Sequence, residues 1–84
     1  MESKVYQKPI VILEDDEGLA FLITEKIKEI YLPVISFQTA SKAIDWLENN
    51  RNQAKFMMID FSLPDMNAIG FLNCLKEKNI PIPR

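Results

Sequence analysis

Apolar residues along the chain fall into short continuous runs that are separated by longer stretches with helical spacing. The continuous runs are PIVIL at 9–13, PVISF at 33–37 and FMMI at 56–59. Short runs of β-branched and other large apolar residues are typical of parallel strands that are covered on both faces. The pattern therefore predicts three buried strands.

Three amphipathic helices are predicted between and after these strands, because apolar residues recur there every three or four positions. Pro33 ends the first helix, and Thr39 or Ser41 is the predicted N-cap of the second. The apolar positions, in chain order, are Leu19, Leu22, Ile23, Ile27 and Ile30, then Ala43, Ile44 and Leu47, then Ile69, Leu72 and Leu75.

The order of these elements predicts the fold class. Strand and helix alternate throughout, which indicates βαβ units with right-handed crossovers and a parallel sheet. We expect an α/β fold, a flavodoxin-like three-layer sandwich with strand order 2-1-3, as an incomplete version of the order 2-1-3-4-5. The segment NIPIPR at 79–84 is read as a loop entering a fourth strand beside the third.

Composition narrows the class of protein. The 84 residues are 48% hydrophobic and 26% charged with a formal net charge of −2, which is typical of one globular domain and predicts no nucleic-acid partner. Cys74 is the only cysteine, so a reducing, cytoplasmic location is expected. The polar start MESKVYQK does not resemble a signal peptide, and no apolar run approaches the roughly 18 residues that span a bilayer, so no membrane partner is expected.

Acidic residues follow the first and third predicted strands. Asp15 and Asp16 come after the first strand, and Asp60 comes directly after the third. In a 2-1-3 sheet these strands are neighbours about 4.8 Å apart, so the three carboxylates are predicted to converge at one edge. Two like charges about 4 Å apart repel by roughly 4 kcal/mol at an effective dielectric near 20, which favours a bound cation or a bound proton.

An oxygen-only ligand set with no histidine suits Mg²⁺, which accepts a phosphate as a further ligand. An aspartate beside such a metal is a candidate phosphoryl acceptor, since carboxylates serve as nucleophiles that form aspartyl phosphates. A simpler interpretation stays open at this point. The acids of EDDEG at 14–18 are also favourable at a helix N-terminus, and Asp60 is also a candidate cap for nearby backbone amides.

Three segments, in order, resemble the receiver domain of bacterial two-component response regulators. They are VILEDDEG at 11–18, TASKAIDWL at 39–47 and IDFSLPDMNAIGFL at 59–72, and the resemblance covers about residues 9–83. It implies a single receiver domain over residues 1–84 that takes part in a phosphorelay. By this resemblance Asp60 accepts the phosphoryl group, four residues before the loop-positioning Pro64.

The resemblance also implies a metal site and partners. Asp16 would bind Mg²⁺ directly, Asp15 mainly through water, and the backbone carbonyl of Ser62 would be a further ligand beside Asp60. The chain contains no histidine, so the donor would be a separate histidine kinase, a phosphotransfer protein or a small phosphodonor. The implied role is that of a phosphoacceptor with at most self-catalysed phosphotransfer, which is not an enzyme with turnover.

The sequence departs from the family pattern in two places. Asn67 and Ala68 stand where Asp-Gly is usual, and glycine there eases a tight entry into the following helix. The hydroxyl residue expected after the fourth strand and the lysine expected after the fifth are absent, so the chain resembles a receiver truncated at the start of the fourth strand. It is read either as a fragment of a longer product or as a degenerate half-domain.

Two other functions compete with this one. A haloacid-dehalogenase-like phosphatase needs a second aspartate two residues after the nucleophile, where this chain has Ser62. A receiver-like protein-interaction module that is never phosphorylated stays open, because the second half of the family's site is missing. We also expect self-association through the exposed edge of the third strand, since uncovered edges and apolar patches recruit other chains.

Overall fold

The computed structural model describes residues 7–83, which form three strands and three helices in strict alternation. The elements, in chain order, are β1 (Ile10–Leu13), α1 (Glu17–Lys28), β2 (Val34–Phe37), α2 (Ala40–Asn49), β3 (Phe56–Ile59) and α3 (Ala68–Glu77). The strands form a single parallel sheet with the order β2-β1-β3, as the sequence predicts.

The sheet lies between two helical layers. Val11 and Leu13 of β1 point into the main core, which α2 and α3 cover with Ala43, Leu47 and Phe71 among others. Ile12 is 1% exposed and points to the opposite face, because successive side chains of a strand alternate. Helix α1 packs on β1 and β2 on that face, and its Ala20 is buried. The α/β sandwich class is therefore confirmed.

Helix α1 covers its face of the sheet less fully than its sequence predicts. Ala20 is the one residue of α1 that is buried, whereas Leu19 and Leu22 are 45% and 63% exposed. The helix also ends at Lys28, so Ile30 lies beyond it and is exposed. Phe56 and Met58 of β3 are exposed as well, while Met57 and Ile59 pack against the main core.

The segment that follows α3 is irregular up to Pro83, which fits the expected loop, and no fourth strand forms within residues 7–83. Ile80 is buried and packs in the main core, and its amide donates to the carbonyl of Leu75 at 2.9 Å. Pro81 and Pro83 have no N–H to donate to a strand ladder, which explains the irregular backbone there.

None of the helices in the described part of the chain is long and apolar enough to cross a membrane.

Candidate functional site

The carboxyl ends of β1 and β3 bring two acidic residues side by side. Leu13 and Ile59 are the last paired residues of the two strands. The ladder continues by one hydrogen bond, in which the Asp60 amide donates to the carbonyl of Leu13 at 2.9 Å. The Glu14 amide donates in the same way to the carbonyl of Phe37 in β2, at 3.0 Å. Glu14 and Asp60 are thus each the first residue beyond a strand, and the sheet itself fixes their backbones.

Three carboxylates meet at this edge: those of Glu14, Asp15 and Asp60, with one oxygen from each lying within 4.8 Å of the others. Glu14 is buried, Asp60 is half-buried and Asp15 is exposed, so the group is open to solvent on one side. Burial raises the pKa of Glu14 above its usual 4.5, and the negative charges of Asp60 and Asp15 add to this increase. The Asp16 amide, which donates to Glu14 Oε2 at 3.2 Å, partly opposes it.

The donor set fits the metal that the sequence predicts. All three side chains offer hard carboxylate oxygens, with no nitrogen or sulfur ligand among them, and such sets favour Mg²⁺ over softer metals. A divalent cation would also relieve the mutual repulsion that raises the pKa of Glu14. Glu14, Asp15 and Asp60 are therefore the residues that would hold Mg²⁺ here.

Asp16 does not belong to this group. Its side chain is the N-cap of α1, where Asp16 Oδ1 accepts a hydrogen bond from the Leu19 amide at 3.0 Å. The sequence-based expectation that Asp15, Asp16 and Asp60 converge therefore needs a correction of one position, in which Glu14 takes the place of Asp16. The signal was present in the sequence, because Glu14 directly follows β1 as Asp60 directly follows β3.

The loop after Asp60 is a small closed hairpin. Ser62 and Asn67 form an isolated antiparallel bridge, and the amide of Leu63 donates to the carbonyl of Met66 at 3.2 Å. Pro64 and Asp65 lie at its tip, where the fixed φ of proline restricts the turn. Asn67 caps α3 by accepting from the Gly70 amide at 2.8 Å, so Ala68 begins the helix without needing the conformational freedom of glycine.

Asp65 is a site residue that the sequence analysis missed. Its two carboxylate oxygens accept hydrogen bonds from the amides of Ala40 and Ser41, both at 2.9 Å, at the start of α2. Partial burial alone would raise the pKa of Asp65, but these hydrogen bonds outweigh it and hold the pKa below the usual 3.8. A carboxylate at a helix N-terminus also interacts favourably with the helix dipole, by about 0.3–1 kcal/mol at exposed positions.

Two comparisons with known proteins agree with this fold. The chain is 25% identical over 73 residues to a two-component response regulator-like protein, APRR6, of Arabidopsis thaliana, a match that covers 87% of this chain. It superposes on the crystal structure of the signal receiver domain of a protein described as a LuxO repressor from Vibrio parahaemolyticus, with a TM-score of 0.77 and 25% identity over 90% of this chain. No family model matches the chain.

The chain therefore resembles the receiver domains of response regulators in sequence and in fold. The chain spans 10% of the length of the Arabidopsis protein and 57% of the solved Vibrio chain. The likeness therefore concerns only a part of each of these proteins.

Proposed function

We propose that the chain is a phosphorelay receiver that accepts a phosphoryl group on Asp60 from a histidine kinase or a phosphotransfer protein. An oxygen of the Asp60 carboxylate attacks the phosphorus, the new P–O bond forms, and the P–N bond to the donor's histidine breaks. Glu14, Asp15 and Asp60 would hold Mg²⁺, which would supply positive charge to the phosphoryl oxygens. The role is that of a phosphoacceptor, and a cytoplasmic location fits the single cysteine of the chain.

The observation that carries this proposal is the cluster of Glu14, Asp15 and Asp60 within 4.8 Å at the end of two paired strands. Asp60 is the residue of this cluster that best suits the role of nucleophile. Its amide donates a hydrogen bond to the carbonyl of Leu13, which fixes its backbone, and its half-buried side chain lies beside the open side of the cluster. Glu14 and Asp15 would hold the metal with it. The carbonyl of Ser62, in the hairpin that follows Asp60, is proposed as a further ligand.

Phosphorylation by a small donor tests this assignment. Wild-type chain treated with acetyl phosphate and Mg²⁺ is expected to gain the mass of one phosphoryl group, which hydroxylamine removes as it does from acyl phosphates. Asp60→Asn is expected to abolish the gain, because an amide is no nucleophile here. Asp45→Asn is the matched control, since Asp45 is exposed on α2 away from the cluster, and it is expected to label like the wild type.

Labelling of Asp60→Asn at the wild-type level, or labelling that is unaffected by removing Mg²⁺ with EDTA, would contradict the proposal. A wild-type chain that binds Mg²⁺ but never forms the acyl phosphate would favour the rival function, a receiver-like interaction module that works without phosphorylation.

We also propose that the chain self-associates through β3. Within residues 7–83, β3 pairs on one side alone, with β1, and its Phe56 and Met58 are 51% and 39% exposed. Sedimentation is expected to show reversible, concentration-dependent dimers that Met58→Lys weakens, because a charge on an edge strand opposes pairing. Leu22→Lys, on an exposed position of α1, is the control and should dimerise like the wild type. A strictly monomeric wild type at millimolar concentration would rule the interface out.

A further inference from the structure

The N-terminus of α2 is capped differently from those of the other two helices. Helices α1 and α3 are each capped locally, by Asp16 and Asn67, through a bond to an amide three residues ahead. Helix α2 has such a cap too, since Thr39 Oγ1 accepts from the Lys42 amide at 3.3 Å. It has in addition the carboxylate of Asp65, which lies 25 residues further along the chain.

The contact of Asp65 is bidentate and fills a specific need. The first amides of a helix have no acceptor within the helix, and those of Ala40 and Ser41 both donate to Asp65. The Ala43 amide then makes the first intrahelical bond, to the carbonyl of Thr39 at 3.4 Å. Asp65 is therefore the partner that satisfies the first two amides of α2.

The same residue belongs to the loop that carries the candidate site. Asp65 lies at the tip of the hairpin that the Ser62–Asn67 bridge closes, and this hairpin begins two residues after Asp60. Leu63 in the hairpin is buried in the main core, and the Ala68 amide donates to the carbonyl of Phe61 at 2.8 Å. Because the Ser62–Asn67 bridge closes the hairpin and the buried Leu63 anchors it, we expect the position of the hairpin relative to α2 to set that of the Ser62 carbonyl as well.

We propose that Asp65 is a positioning residue that couples the metal and phosphoacceptor site to the start of α2 through this hairpin. The inference rests on the proposed function, because it concerns the regulation of the same site. Coupling between two sites is reciprocal, so a contact that strengthens Mg²⁺ binding must itself be strengthened when Mg²⁺ binds. Mg²⁺ binding is then expected to strengthen the contact between Asp65 and the start of α2, on the main-core side of the sheet.

Two measurements test the coupling. Asp65→Ala is expected to weaken Mg²⁺ binding about fivefold, at the low end of the range for coupled sites. In the wild type, saturating Mg²⁺ is expected to slow hydrogen exchange of the Ala40 and Ser41 amides by a similar factor. These two amides report on Asp65 directly, since no helical bond protects them.

Thr39→Ala is the matched control. It removes the other side-chain cap of the same helical turn and leaves the hairpin intact. We expect it to loosen the start of α2. Because Thr39 is not part of the hairpin, Mg²⁺ affinity should stay within about twofold of the wild type. A general loss of stability would instead weaken binding in both variants. This separates a positioning role from a structural one.

The outcomes of these experiments distinguish the coupling through Asp65 from the proposed phosphoacceptor function on which it rests. Mg²⁺ binding by Asp65→Ala equal to that of the wild type, or wild-type exchange at Ala40 and Ser41 that ignores Mg²⁺, would overturn the coupling and leave the proposed function standing. A wild-type chain that binds no Mg²⁺ would overturn both. If Asp65→Ala does not fold, the exchange measurement on the wild type still decides the question.

Discussion

Replacing Phe71 by alanine is expected to remove most of the free energy that keeps the chain folded at room temperature. Phe71 is fully buried and is the largest of the fully buried side chains, where α3 meets the main core. Phe→Ala substitutions at such sites cost about 3–5 kcal/mol through lost burial and the cavity left behind. Domains are stable by about 5–15 kcal/mol, and a chain as short as this one belongs at the low end of that range.

Urea melts followed by circular dichroism measure this effect, and Ile69→Ala on the same helix provides the control. Ile69 is 59% exposed, so its truncation is expected to change the unfolding free energy by no more than about 0.5 kcal/mol. If Phe71→Ala kept a cooperative transition within about 1 kcal/mol of the wild type, α3 would contribute little to the core, contrary to the packing described above.

The strands were predictable because each is a short continuous apolar run, although β1 alone is buried on both faces and the expected burial of β3 is wrong for Phe56 and Met58. The limits of β3 at Phe56–Ile59 match the apolar run FMMI, and β1 and β2 each begin one residue later than the runs PIVIL and PVISF. In both of these runs the first residue is a proline, which has no N–H for the ladder. The N-cap of α2 is Thr39, one of the two candidates that the sequence offered.

Predictions failed where a residue's environment depends on how much of the sheet is covered. The apolar stripe predicted a buried face at Leu19, Leu22 and Ile30, yet α1 packs on β1 and β2 with Leu19 and Leu22 exposed, and the helix ends before the exposed Ile30. Helical periodicity identifies the face that can be buried, but the extent of burial depends on the neighbouring elements. The backbone after α3 is irregular for a local reason, because Pro81 and Pro83 have no N–H to donate to a strand ladder.

Part of the candidate site could be predicted from the sequence. Asp15 and Asp60 were expected together at the strand ends, and their carboxylate oxygens do lie within 4.8 Å of each other. Glu14 is the first residue after the run PIVIL and so had the same signal as Asp60, but the expectation took Asp16 instead. The simpler interpretation of EDDEG was that its acids stabilise a helix N-terminus. It holds for Asp16, which caps α1, whereas Glu14 and Asp15 belong to the carboxylate cluster. The role of Asp65 had no sequence signal, because its partners lie 24 and 25 residues away and only the folded sheet brings them into contact.

Glu14→Gln is expected to stabilise the chain at neutral pH and to impair Mg²⁺ binding at the same time. Glu14 is 8% exposed, and an oxygen of it lies within 4.8 Å of one from Asp15 and one from Asp60. Two carboxylates at about 4.8 Å repel by roughly 3 kcal/mol at an effective dielectric of 20, and solvent at the open side reduces this to a net gain on the order of 1 kcal/mol for the variant.

The pH dependence has a definite sign. The pKa of Glu14 is raised in the folded state, so between its usual 4.5 and the raised value the folded chain binds the proton more tightly than the unfolded chain. The stability that Glu14 contributes is fully present below pH 4.5 and is lost as the pH rises through the folded pKa. Urea melts of wild type and Glu14→Gln should therefore agree near pH 4 and separate as the pH rises.

In contrast to Glu14→Gln, Asp16→Ala is expected to lower the stability of the chain and to leave Mg²⁺ binding unchanged. Loss of the N-cap should cost about 0.5–2 kcal/mol of stability, because the Leu19 amide loses its acceptor. Its Mg²⁺ affinity should stay close to that of the wild type, whereas Glu14→Gln should bind Mg²⁺ at least about tenfold more weakly, the effect of losing about 1.4 kcal/mol of binding free energy. Isothermal titration of Mg²⁺ into both variants measures this difference. If Asp16→Ala lost Mg²⁺ affinity and Glu14→Gln kept it, Asp16 would be the metal ligand, and the cluster of Glu14 with Asp15 and Asp60 would be no more than three neighbouring charges.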